Sequence, residues 1–136
     1  MKTFKQHINE SSNKELIKLA NDFISELDDK KAKDEWGGSF ADITNEPGNC
    51  AMVSETFIKW AKQKGLTAKF RTCANAIDPT WAKNAGVRAK SEEDAHTVAQ
   101  IGDMIVDFTA KQFDKNMPCP RIITVKQFDS EWEEVV

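Results

Sequence analysis

The sequence predicts an α+β fold, with helices ahead of an antiparallel sheet. Three observations lead to that expectation. Apolar residues recur every three or four positions in the first half of the chain. From about residue 95 onward they fall into short runs instead. Between two of those runs sits Gly102-Asp103, a dipeptide suited to a two-residue hairpin turn.

The elements follow in order. Ser12 and Glu15 fit a capping box. Leu16, Ala20, Phe23 and Leu27, with Ile17 and Ile24 beside them, then mark an amphipathic helix over about residues 13–28. Charge crowds its end in ELDDKKAKDE. The stretch WGGSFADITNEPGN reads as a loop. Asn49 suits the N-cap of a second helix that opens at Cys50. Along it Cys50, Val53, Ser54, Phe57, Trp60 and Ala61 share one face, and Gly65 ends it. Residues 66–73 alternate Leu66, Ala68, Phe70 and Thr72 with polar neighbours, the pattern of a strand. Residues 74–93 read as irregular, with room for a short helical piece. Strands are expected at about 95–101 and 104–109, and a last one in RIITV. KQFDSEWEEV reads as a tail with a helical turn at most.

A chain of 136 residues is the size of one domain, and 40% hydrophobic residues supply a single core. The balance of 22 acids against 19 bases excludes a strongly basic nucleic-acid surface. No apolar run has the length of a membrane span, and no secretory signal precedes the first helix. Three cysteines, Cys50, Cys73 and Cys119, form no CxxC pair. The odd count argues for reduced thiols and synthesis in the cytoplasm. With only His7 and His96 as further soft ligands, no zinc-finger spacing is present.

The hairpin register carries the chemistry. A turn at 102–103 pairs Ile101 with Met104 and Val98 with Asp107. His96, Val98, Gln100, Ile105, Asp107 and Thr109 then share a face, with His96 and Asp107 as diagonal neighbours. A thiol becomes nucleophilic when a helix N-terminus or an imidazolium favours its thiolate. Cys50 has the first by position, and gains the second if its helix packs on the face that carries His96. Asp107 would then orient the ring. First-turn amides, with Asn45 or Asn49, are candidate oxyanion donors. The loops at 34–48 and 74–93 would line a cleft, with Trp36, Phe40 and Trp81 as apolar contacts. The same residue types also occur as a packed core thiol, a strand histidine satisfied by an acid, and an edge carboxylate. Cys73, at a strand end, and Cys119, between two prolines, are not read as nucleophiles.

The segments GNCAMVSETFIKWAKQKGLTAKF and AHTVAQIGDMIVDFTAKQF resemble the transglutaminase-like branch of the papain-like cysteine-peptidase superfamily. The resemblance covers about residues 45–113. It implies a papain-like core with N-terminal helices packed on an antiparallel sheet. It also implies a Cys50–His96–Asp107 triad acting on amide or thioester carbonyls by hydrolysis, deamidation or acyl transfer. Such chemistry needs no metal or organic cofactor, and its partner would be a protein or peptide substrate. A non-catalytic binding or inhibitor module on the same fold is the alternative.

MKTFKQHINE, followed by Ser11, resembles the capsid-targeting peptide of internal head proteins of T-even-like bacteriophages. That resemblance implies cleavage between Glu10 and Ser11 by the phage prohead protease, leaving residues 11–136 as the domain. It further implies packaging in the virion head and delivery to the host cytoplasm, where a host protein would be the substrate. A purely structural internal head protein is the third alternative.

Overall fold

The computed structural model describes residues 13–46, 48–76, 96–113 and 115–134. Helix α1 (Asn13–Trp36) starts with the periodic apolar residues and runs past the expected end near residue 28. It does so through a kink at Asp28, whose φ of 40° and ψ of 171° lie outside helical space. The Asp28 carboxylate accepts from the Lys31 amide at 2.9 Å, so it caps the segment beyond the kink. That segment buries Ala32 and Trp36, an i, i+4 pair that the surrounding charges obscure in the sequence. Side chains other than glycine rarely adopt the Asp28 backbone conformation. Asp28→Ala keeps the strain and loses the cap, so it should lower stability by about 1–2 kcal/mol in urea unfolding. Asp28→Gly, which relieves the strain, should stay within about 1 kcal/mol of the parent protein.

The stretch expected to be loop contains α2 (Phe40–Asn45), with Ser39 Oγ accepting from the Asp42 amide at 3.2 Å. Helix α3 (Cys50–Gln63) has the expected bounds and buries Cys50, Val53, Ser54, Phe57 and Ala61. Its end is a Schellman turn: Gly65 N–H donates to Lys62 O and Leu66 N–H to Ala61 O, with Gly65 at φ 83°.

Among the described residues the sheet has five antiparallel strands: β1 (Lys69–Ala76), β2 (His96–Ile101), β3 (Met104–Asp107), β4 (Arg121–Thr124) and β5 (Trp132–Glu134). Their spatial order is β4-β3-β2-β1-β5. The mixed α+β class is therefore as expected. Strand β1 lies about three residues later than its alternation suggested, and Phe70 is exposed. The hairpin register is the expected one, with Ile101 opposite Met104 and Ala99 opposite Val106. A short 3-10 turn (Ala110–Gln112) follows β3. The tail forms α4 (Val125–Glu131) and β5, which pairs with β1 at the edge opposite β4. Within α4, Phe128 packs with Trp132, Val98 and Ile105, so the C-terminal segment covers the sheet face away from α1 and α3.

The faces divide by strand parity. Ala99, Ile101, Met104, Val106 and Phe108 pack with α1 and α3. Val98 and Ile105 pack with Phe128 and Trp132 on the other side. Helix α3 therefore packs on the face opposite to the one expected to carry His96, because its Val53, Phe57 and Ala61 join the cluster of Ala99, Ile101, Met104, Val106 and Phe108. Trp36 belongs to that same cluster, 8% exposed, and its Nε1 donates to Thr56 Oγ1 at 3.0 Å. Phe40 packs against Trp36 and Phe108. These two aromatics, expected at a cleft, are thus packed into or against the core. No helix among the described residues is long and apolar enough to cross a membrane.

Candidate active site

Cys50 reaches His96 at the beginning of strand β2 instead of across its face. Ser54, one turn beyond Cys50, donates its hydroxyl to the carbonyl of Thr97 at 3.1 Å, which ties the start of α3 to the start of β2. His96 is fully buried. Its Nε2 donates to Asp107 Oδ2 at 2.7 Å. The other carboxylate oxygen, Oδ1, accepts from the Thr109 amide at 2.8 Å and from the Thr109 hydroxyl at 3.4 Å. These bonds fix the carboxylate, the carboxylate fixes the ring, and Nδ1 is left for the thiol side. Nδ1 is buried and has no partner at hydrogen-bond geometry, although the thiol is near enough to interact with the ring. Contacts of this kind in unliganded sites commonly tighten when substrate binds.

Two aromatic side chains wall the imidazole. Phe113 meets it edge-on at 4.9 Å between centroids, and Trp132 lies tilted at 5.5 Å. Both come from segments C-terminal to the hairpin, and Trp132 is supplied by the element least legible in the sequence.

The electrostatics are those of a coupled set. Burial opposes ionisation of Cys50, but the His96 ring and the Thr97 amide together outweigh it and hold the thiol below its ordinary value. Burial also opposes the imidazolium, yet the Asp107 charge and hydrogen bond, with the Cys50 sulfur, raise His96 to about 9. For Asp107, burial is outweighed by His96, the Thr109 amide and Arg121, so its carboxyl is held below the usual range. The other two thiols behave oppositely. Burial pushes Cys73, which donates to His96 O at 3.4 Å, far above the ordinary thiol range. Burial also pushes Cys119 up to about 11.

Linkage follows from those directions. The raised His96 contributes stability that is fully present below its ordinary value of 6.5 and lost as pH rises through about 9. The depressed Cys50 contributes stability that is present above its ordinary value of 9.0 and lost as pH falls through its folded value. Asp107 contributes above its ordinary 3.8 and loses that contribution as pH falls through its depressed value. Where the His96 and Cys50 windows overlap, one slope falls as the other rises, and the profile is shallow. Cys50→Ala removes the rising partner. Its urea-unfolding free energy should fall with pH above 6.5 at up to about 1.4 kcal/mol per pH unit. The decline should end below the parent His96 value, because the sulfur helps to raise that value.

The other expected site residues fall as follows. Asn49 occupies the N-cap position without capping: its Nδ2 donates to Ile43 O at 3.0 Å and braces the loop before α3. Asn45 is exposed at the end of α2. Trp81, Glu10 and Ser11 lie outside the described residues. Thr109, Arg121, Glu131 and Trp132 around Asp107 and His96 were not anticipated as site residues. Only Thr109 had a local signal, a hydroxyl two residues after an acid, which is the spacing of an Asx-type turn. Comparison of the chain with protein-family models, curated proteins and solved structures gave no match.

Proposed function

We propose that the protein is a small cysteine-dependent hydrolase or acyltransferase of transglutaminase-like, papain-like type. The observation that carries this reading is the ordered line from Asp107 Oδ2 through His96 Nε2 at 2.7 Å to a ring whose other side interacts with the only depressed thiol of the three. In this mechanism the Cys50 thiolate adds to an amide carbonyl carbon, and the developing oxyanion is met by amides in the first turn of α3. The imidazolium of His96 gives its proton to the departing nitrogen as the C–N bond breaks, leaving a thioester on Cys50. Water or an amine then attacks the thioester, His96 removes the attacking group's proton, and the sulfur leaves as thiolate. Asp107 holds the ring and balances its charge in both halves. The acyl acceptor, water or an amine, decides between hydrolysis and transfer, and hydrolysis of a glutamine side-chain amide is deamidation.

The substrate in this reading is a peptide, isopeptide or glutamine side chain, in a host protein if the N-terminal ten residues act as a phage capsid-targeting peptide. A mature virion protein beginning at Ser11, measured by mass spectrometry, would support that delivery route, and one beginning at Met1 would remove it. The 8% exposure of Cys50 favours a second reading, a binding or inhibitor module on the same fold. Incubation with host lysate separates the two. An enzyme produces mass shifts on glutamine side chains or new peptide termini that disappear with Cys50→Ala. A module leaves the lysate chemically unchanged.

A further inference from the structure

Arg121 and Asp107 are direct partners across β4 and β3, so their side chains share a face. A guanidinium beside a carboxylate readily forks onto it through two parallel bonds. Here Arg121 Nη1 donates to Glu131 Oε1 at 2.7 Å and Nη2 to Glu131 Oε2 at 2.6 Å. Both side chains are about nine-tenths buried, at 9% and 10% exposure. The Asp107 oxygens are divided between His96 and Thr109. We propose that Glu131 is a positioning residue that holds Arg121 away from Asp107, reserving that carboxylate for His96.

The inference rests on the triad reading above. Without the Glu131 carboxylate, a buried arginine would sit opposite Asp107 across the strand pair, and a forked bond to Asp107 would compete with the single bond from His96 Nε2. Among the described residues, the charged and titratable groups bearing on Asp107 are His96 from β2, Arg121 from β4, and Cys73 and Cys119, whose thiols burial keeps protonated at neutral pH. Cys50 acts beyond the ring, and Glu131 acts through Arg121. Among the described residues, Arg121 is thus the cation able to replace His96 at the carboxylate. Gln127, whose Nε2 lies 3.5 Å from Glu131 Oε2, helps to hold the clamp.

The test is the titration of His96 followed by NMR in the full chain, with the rate of Cys50 alkylation by iodoacetamide as a second readout. In Glu131→Gln, which weakens the clamp while keeping its shape, the His96 titration should move down by about one unit or more. Cys50 alkylation at neutral pH should slow about tenfold. In Glu131→Gln with Arg121→Met the competing cation is gone, and both readouts should return toward the parent values. A purely structural pair would not give this reversal. Should Glu131→Gln not fold, Glu131→Asp, which keeps the charge and shortens the reach, should show a smaller downward shift. An unchanged His96 titration in the folded single variant, or an equal shift in the double variant, would overturn the proposal. If Cys50 proves unreactive in every chain, the catalytic reading fails, and the His96 titration still judges the clamp.

Discussion

Replacing His96 by alanine will slow alkylation of Cys50 at pH 7, by up to about a hundredfold. The parent thiol is depressed because ring and amide interactions exceed the penalty of burial. Without the ring, burial is the largest influence left and it favours the neutral thiol. A group that titrates at 9.0 or above is thiolate to about 1% at pH 7. Cys73 and Cys119 provide an internal control, since both titrate far above neutrality and neither interacts with the imidazole side chain. Their labelling should be unchanged. Under the proposed mechanism, turnover of an amide should fall further than alkylation, by about ten-thousandfold, because the leaving nitrogen also loses its proton donor. The parent pH–rate profile should be bell-shaped. Its acid limb follows the thiol, and its alkaline limb lies near the His96 value of about 9. Alkylation requires only the thiolate and should persist beyond that alkaline limb. Identical alkylation profiles for parent and variant would show that the ring does not govern the sulfur.

Phe57→Ala will destabilise the protein by about 3–5 kcal/mol, measured as a lower urea midpoint with little change in slope. Phe57 is fully buried two turns beyond Cys50, where α1, α3 and the sheet meet. Its ring lies 5.2 Å from Phe23 on α1 and 5.0 Å from Phe108 beyond β3, each edge-on. Truncation removes both contacts and leaves a cavity that three elements would have to close together. Phe57→Leu keeps most of the volume and should cost less than half as much. Because Phe108 directly follows Asp107, the alanine variant should also loosen the carboxylate and lower the His96 titration. Loss of stability with no movement of His96 would show that the aromatic cluster and the His96–Asp107 pair are mechanically independent.

The hairpin was legible because two local facts determine it. Gly102 takes the positive φ of 57° that a two-residue turn needs, and pairing then follows by counting outward from Ile101 and Met104. Helix α3 was legible from its apolar period and its terminal Gly65. The route by which Cys50 meets His96 was not. Period and register give which residues share a face, but the packing of α3 on the Val106 side depends on Phe23, Phe57 and Phe108 coming together from distant segments. The C-terminal segment was illegible for a different reason. WEE has no alternation to announce a strand, and β5 exists because β1 offers it an open edge. Glu131 is a charged residue in a charged stretch, and its burial is explained by Arg121 ten positions earlier. The continuation of α1 was hidden in the same way. Asp28 looks like a terminator, and it does interrupt the helix, but it also starts the next segment.

The position of β5 has a consequence for biosynthesis. The sheet is not completed in the order in which its strands leave the ribosome: the strand that flanks β1 on its outer side is the last of the five to emerge. A nascent chain extending only to Thr124 would already contain Cys50, His96 and Asp107, yet the indole that walls the imidazole and the acid that clamps Arg121 would not have been synthesised. The Cys50 sulfur would therefore acquire its finished surroundings late in translation, after most of the polypeptide has been made.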